Sequence, residues 1–95
     1  VIIAIDYDGT ITADLGMFIQ IINLMKESGH TPIVVTMKHK HEEDSVLNNM
    51  VSKLGNDTSV YYTGRKAKKD FMLNLGIKVD IWIDDNPHWI LEDSK

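Results

Sequence analysis

Two stretches of the chain, residues 1–5 (VIIAI) and 32–35 (PIVV), contain no polar side chain. A strand with one wet face alternates apolar and polar residues, whereas an unbroken apolar run fits a strand covered on both faces. The segments between have a different period. Residues 17–28 carry apolar side chains at 17, 18, 21, 22, 24 and 25, which is helical spacing, and Gly29 follows as a stop. Residues 41–54 read as a second helix, with Val46, Leu47, Met50, Val51 and Leu54 on one face and Gly55 as its stop. A weaker strand at 59–62, a short helix at 67–75 ended by Gly76, a fourth strand at 79–83 and a last helical stretch after Asn86-Pro87 complete the pattern. Alternation of this kind predicts an α/β fold, with a parallel sheet between two helical layers.

The length of 95 residues suits one domain spanning 1–95, with a modest core. No window approaches the ~20 apolar residues of a membrane span, and no signal-peptide pattern is present. The chain opens inside a strand, at Val1, without an initiator Met, so a few residues are expected ahead of it. It has no cysteine, hence no disulfide framework or thiolate metal site, which fits a cytoplasmic protein. The net charge is −4, and Asp6, Asp8, Asp84 and Asp85 account for all of it. A small basic cluster, Arg65, Lys66, Lys68 and Lys69, does not make the chain a duplex DNA binder by charge.

In a parallel α/β sheet the ligand crevice lies beyond the carboxyl ends of the strands. The predicted strands end on Asp6 and Asp8, on Thr36, on Thr63 and Gly64 with the lysines following, and on Asp84 and Asp85. Asp6 and Asp8 fall on one side of the extended chain, about 6 to 7 Å apart, and Tyr7 between them faces the other way and packs. Four carboxylates on one sheet edge repel one another, and a bound hard cation relieves that repulsion. An all-oxygen ligand set favours Mg2+ over Zn2+, and such a site is commonly completed by phosphate. A lysine and the Thr36 hydroxyl supply groups for phosphate, and main-chain N–H groups in the turn at Gly9 and Thr10 are further candidates.

Together, DYDGT at 6–10, VVT at 34–36, a lysine ahead of an amphipathic helix and WIDDNP at 82–87 resemble the four motifs of the haloacid dehalogenase superfamily of phosphohydrolases. The resemblance extends over nearly the whole chain. It implies a three-layer Rossmann-like sheet of about four strands, expected in the order 4-1-2-3. It implies a Mg2+-dependent phosphomonoester phosphatase in which Asp6 is the nucleophile that becomes an aspartyl-phosphate and Asp8 the general acid and base. Thr36 would bond the phosphoryl group. The metal set would be Asp6, Asp8 (through its main-chain carbonyl), Asp84 and Asp85. The phosphate lysine is Lys68 or Lys69. Lys68 is preferred, since Phe71, Met72 and Leu75 follow at +3, +4 and +7.

Two departures accompany the resemblance. Only residues 11–16 precede the first helix, and Tyr62 leads almost directly to the third, so the chain reads as capless. An open site suits nucleotides, nucleic-acid ends, phosphoproteins or sugar phosphates. The family's usual fifth strand is also missing, which marks a minimal or a truncated version. Two other functions compete: a receiver-like phospho-acceptor domain, and a phosphate- or metal-binding module without turnover. The first would need an acceptor Asp at the end of strand three, where the sequence has Tyr61, Tyr62 and Thr63; the second has no use for the acid, Asp8. Lys38, His39, Lys40 and His41 read first as a polar loop entering a helix and second as lining for the mouth of the site, His30 as a surface turn, Trp82 as a packing residue, and Trp89 as packing in preference to a base-stacking platform. His88 and Asp14 are candidates for substrate contact.

Overall fold

The computed structural model describes residues 1–42, 45–54 and 57–94. Four strands, β1 (Ile2–Ile5), β2 (Thr31–Thr36), β3 (Val60–Tyr62) and β4 (Ile81–Ile83), form one sheet in the order β3-β2-β1-β4. Read from the other edge this is 4-1-2-3, and every pairing is parallel. The helices are α1 (Leu15–Glu27), α2 (Ser45–Leu54), α3 (Lys68–Asn74) and the single turn α4 (His88–Leu91), with 3-10 turns at Ile11–Ala13 and Lys40–Glu42.

The apolar runs are unbroken because each sheet face has its own core. On one face Ile3, Ile5 and Val34 pack with Ile22 of α1 and Leu47 of α2, joined by Tyr7 and Ile11. On the other, Ala4, Ile33 and Val35 pack with Met72 of α3. Successive strand residues thus serve opposite cores. The chain steps β1 to β2 to β3 in one direction with α1 and α2 on one face. It then crosses back beyond β1 to β4 with α3 on the other face. A reversal of direction requires this change of face if crossovers keep one hand.

Some expected boundaries move. α1 starts at Leu15, since the Asp14 side chain accepts a hydrogen bond from the Met17 N–H at 3.1 Å. Asp14 is therefore occupied as a helix cap. α2 starts at Ser45, because Lys40–Glu42 forms a tighter turn in which the Glu42 N–H donates to the His39 carbonyl. Gly55 and the side chains of Val46, Met50, Val51 and Leu54 lie outside what is described. β4 is shorter than expected and starts at Ile81, and Leu75 lies at the exposed end of α3. The connections from β1 to α1 and from β3 to α3 are short, and no described helix is long and apolar enough to cross a membrane.

Ile22 is the fully buried contact of α1 with the sheet. Truncating it leaves a cavity, so Ile22→Ala is expected to cost about 2 to 5 kcal/mol in urea unfolding. A loss below about 1 kcal/mol would mean that α1 does not pack on β1 and β2 as described.

Candidate functional site

The strand order reverses between β1 and β4, the place where a parallel α/β sheet opens a crevice. Asp6 follows β1 directly, and its N–H donates to the Ile83 carbonyl at 2.9 Å, so it continues the β1–β4 ladder. Asp84 and Asp85 follow β4. The topology thus brings together carboxylates 78 and 79 positions apart in sequence, and one oxygen from each of Asp6, Asp84 and Asp85 lies within 4.8 Å of the others.

Lys68, the first residue of α3, reaches into this group from the opposite face of the sheet. Its Nζ lies 2.8 Å from Asp6 Oδ1 and 2.6 Å from Asp84 Oδ2, and its side chain is only 3% exposed. Three carboxylates against one ammonium leave two negative charges when all are ionised. Burial raises the Asp6 carboxyl to about 7; Lys68 opposes this, while Asp85 and Asp84 add to it. A divalent cation would cancel the surplus charge, and a set of carboxylate oxygens suits Mg2+. The residues present therefore fit the metal that the sequence motifs imply.

Thr10 stitches the two strand ends together. Its hydroxyl oxygen accepts from the Asp85 N–H at 3.1 Å and lies 3.3 Å from both Asp6 Oδ2 and Asp85 Oδ1, to which its hydrogen is shared. Gly9, at φ +81°, lets the Asp85 carboxylate come close, since a Cβ there would stand 2.8 Å from Asp85 Cγ. The turn itself differs from expectation. The Gly9 N–H donates to Thr12 Oγ1 and the Thr10 N–H to the Tyr7 carbonyl, so both are used within the turn instead of facing an anion. Thr10 contributes through its side chain.

A cleft of about 260 Å3 opens over these groups. Asp8 lies at it with its side chain 63% exposed, outside the close carboxylate group, and the Lys38 ammonium is 3.7 Å from its Oδ2. Tyr7 is buried as expected. Thr36 lines the cleft too, and its Oγ1 accepts from the Lys38 N–H at 3.3 Å. That leaves the hydroxyl hydrogen to donate. Lys69 is exposed and borders a separate apolar groove beside Met72 and Leu73, so of the two candidate lysines it is Lys68 that reaches Asp6 and Asp84.

Several cleft residues were not apparent from the sequence. Arg65 belongs by sequence to the basic cluster with Lys66, Lys68 and Lys69, yet its guanidinium donates to the Met37 carbonyl at 3.2 Å and to Glu42 at 2.8 Å. Lys38 read as part of a polar loop. Trp89 read as packing, yet it lines the cleft half-buried, with His88 against it edge-on at 4.7 Å. His88 bonds the exposed Glu92, and His39 stacks on His41; none of these histidines borders the cleft. Trp82 packs against the second core, as expected. The local signal for Trp89 is its place four residues after the strand-end carboxylate pair.

Asp6 titrates near 7 in the folded chain against an ordinary 3.8. Between those values the folded state holds more protons than the unfolded one, so this group's contribution to stability falls as pH rises from about 4 to about 7. In chelator, the urea midpoint should fall over that interval more steeply for the unmodified chain than for Asp6→Asn. Mg2+ should flatten the fall, because it favours the ionised carboxylates. Equal slopes in the two proteins would contradict the burial of an ionisable Asp6.

Comparison of the chain with protein-family models, with curated proteins and with solved structures finds no match, and the reading of the site rests on its own geometry.

Proposed function

We propose that the chain is a Mg2+-dependent phosphomonoester hydrolase working through a phosphoryl group carried on Asp6. The observation that carries this reading is the buried Asp6 carboxylate, held by Lys68 and Thr10 beside Asp84 and Asp85, with the exposed Asp8 at the same cleft. Asp6, Asp84 and Asp85, with the main-chain carbonyl of Asp8, would hold the ion. Bound there, Mg2+ neutralises the phosphoryl oxygens, so that an anionic nucleophile can approach.

The residues divide the work by environment. An Asp6 oxygen attacks phosphorus in line, forming a P–O bond as the ester P–O bond breaks. The Asp8 carboxyl, at the open side, gives its proton to the departing ester oxygen. Water then attacks the phosphorus of the aspartyl-phosphate, and Asp8 accepts its proton. Inorganic phosphate leaves and Asp6 is regenerated. Lys68 fixes the Asp6 oxygen in place and offsets charge as the phosphoryl group transfers. The Thr36 hydroxyl donates to a phosphoryl oxygen. A receiver-like role gains no support, since Thr63 stands where an acceptor aspartate would be needed, after β3.

Release of phosphate from an aryl phosphate tests the assignments. Mg2+-dependent turnover should fall about 10³-fold or more in Asp6→Asn and about 10²- to 10⁴-fold in Asp8→Asn with a poor leaving group. Lys68→Ala should lose far more than Lys69→Ala, with folding of each variant checked by circular dichroism. Full activity in Asp6→Asn would remove the nucleophile assignment. A greater loss in Lys69→Ala than in Lys68→Ala would overturn the choice of lysine.

A further inference from the structure

We infer that the ester group this cleft accepts is a nucleoside, so that the substrate is the terminal phosphomonoester of a nucleotide, free or at the end of a strand. The inference rests on the hydrolase reading above and deepens it. One wall of the cleft is the phosphate-handling set already described. The wall left for the rest of the substrate is built from Met37, Lys38, Arg65, Asn86, Trp89 and Ser94. An indole, a guanidinium and a thioether are three side chains that pack well against a flat, electron-rich ring. Lys38 and Arg65 bring cationic groups to the cleft, paired there with Asp8 and Glu42. The polar side chains of this wall, Lys38, Arg65, Asn86 and Ser94, suit the sugar hydroxyls of such a substrate, and Trp89 is the group that a sugar or glycerol ester would leave unused.

The wall is pre-organised. Arg65 has φ +72°, unusual for a residue with a side chain, and is the only non-glycine described residue with positive φ. Three loops meet on it. Its N–H donates to the Met37 carbonyl at 2.9 Å, and its own carbonyl accepts from the Ser94 N–H at 2.7 Å. Its guanidinium reaches Met37 and Glu42. The adjacent Gly64, at φ +60°, is pressed against the His39 ring, where a Cβ would stand 2.9 Å from Nδ1. Trp89 faces the cleft from α4, whose Ile90 is buried and so anchors the turn. The loops that carry Met37, Arg65 and Ser94 are thus joined by main-chain bonds that no substrate has to form, and the guanidinium is fixed by its own bonds to Met37 and Glu42.

The test compares kcat/KM, with Mg2+, for nucleoside 5′- and 3′-monophosphates, end-phosphorylated oligonucleotides, ribose 5-phosphate and phosphotyrosine. Nucleotides should exceed ribose 5-phosphate by about 10-fold or more, the stacking contribution of one base. That ratio should collapse in Trp89→Ala and recover in Trp89→Phe. Comparison of the monophosphates with the oligonucleotides distinguishes free nucleotide from strand end. In parallel, calorimetry with Asp6→Asn measures binding of thymidine monophosphate against ribose 5-phosphate. Turnover without a base preference, or a preference for phosphotyrosine, would overturn the inference and leave the hydrolase reading standing. Base-dependent binding by a chain that turns nothing over would do the reverse. Neither turnover nor base-dependent binding would overturn both.

Discussion

The structure depends on one buried ammonium, that of Lys68, placed between the carboxylates of Asp6 and Asp84. Removing one member of a buried ion group leaves uncompensated charge and is costly. The contact therefore ties together the end of β1, the end of β4 and the start of α3. It is also why the site has one geometry. Lys68 holds one Asp6 oxygen and Thr10 contacts the other, so the carboxylate has little freedom to turn.

The fold makes this possible through a single reversal of direction. β1 pairs with β2 on one side and β4 on the other, and the helix preceding β4 covers the face opposite α1 and α2. Two acidic strand ends become neighbours, and the helix between β3 and β4 starts where a lysine on its first turn can reach them. Packing and chemistry share residues here. Met72, one helical turn after Lys68, is fully buried against Ala4, Ile33 and Val35. The same helical face that fills the core aims the lysine into the site.

That coupling explains what could be read from the sequence. Asp6, Asp84 and Asp85 were legible because each directly follows an apolar strand. The preference for Lys68 over Lys69 was legible because the period that buries Phe71 and Met72 also orients the residue four positions before Met72. The parallel sheet and its two helical layers followed from the unbroken apolar runs and the helical segments between them, while the strand order was an expectation of the resemblance alone. Other contacts had no local signature. The Thr10 side chain bridges Asp6 and Asp85 across 75 positions, Lys38 meets Asp8 across the cleft, and Arg65 joins three loops. Trp89 has apolar neighbours in sequence, so a packing role was the natural reading, and only the fold turns it to the cleft. Asp14 shows the converse: a polar loop residue that suggested substrate contact serves as the cap of α1.

The central claim is that Asp6 is the oxygen nucleophile that accepts a phosphoryl group. Beryllofluoride, a mimic of that group on a carboxylate, tests it without a need for the natural substrate. With Mg2+, fluorine NMR of the unmodified chain should show protein-bound beryllofluoride resonances that are absent in a folded Asp6→Asn variant. The same bound resonances in that variant, or none in a Mg2+-saturated unmodified chain, would contradict the account.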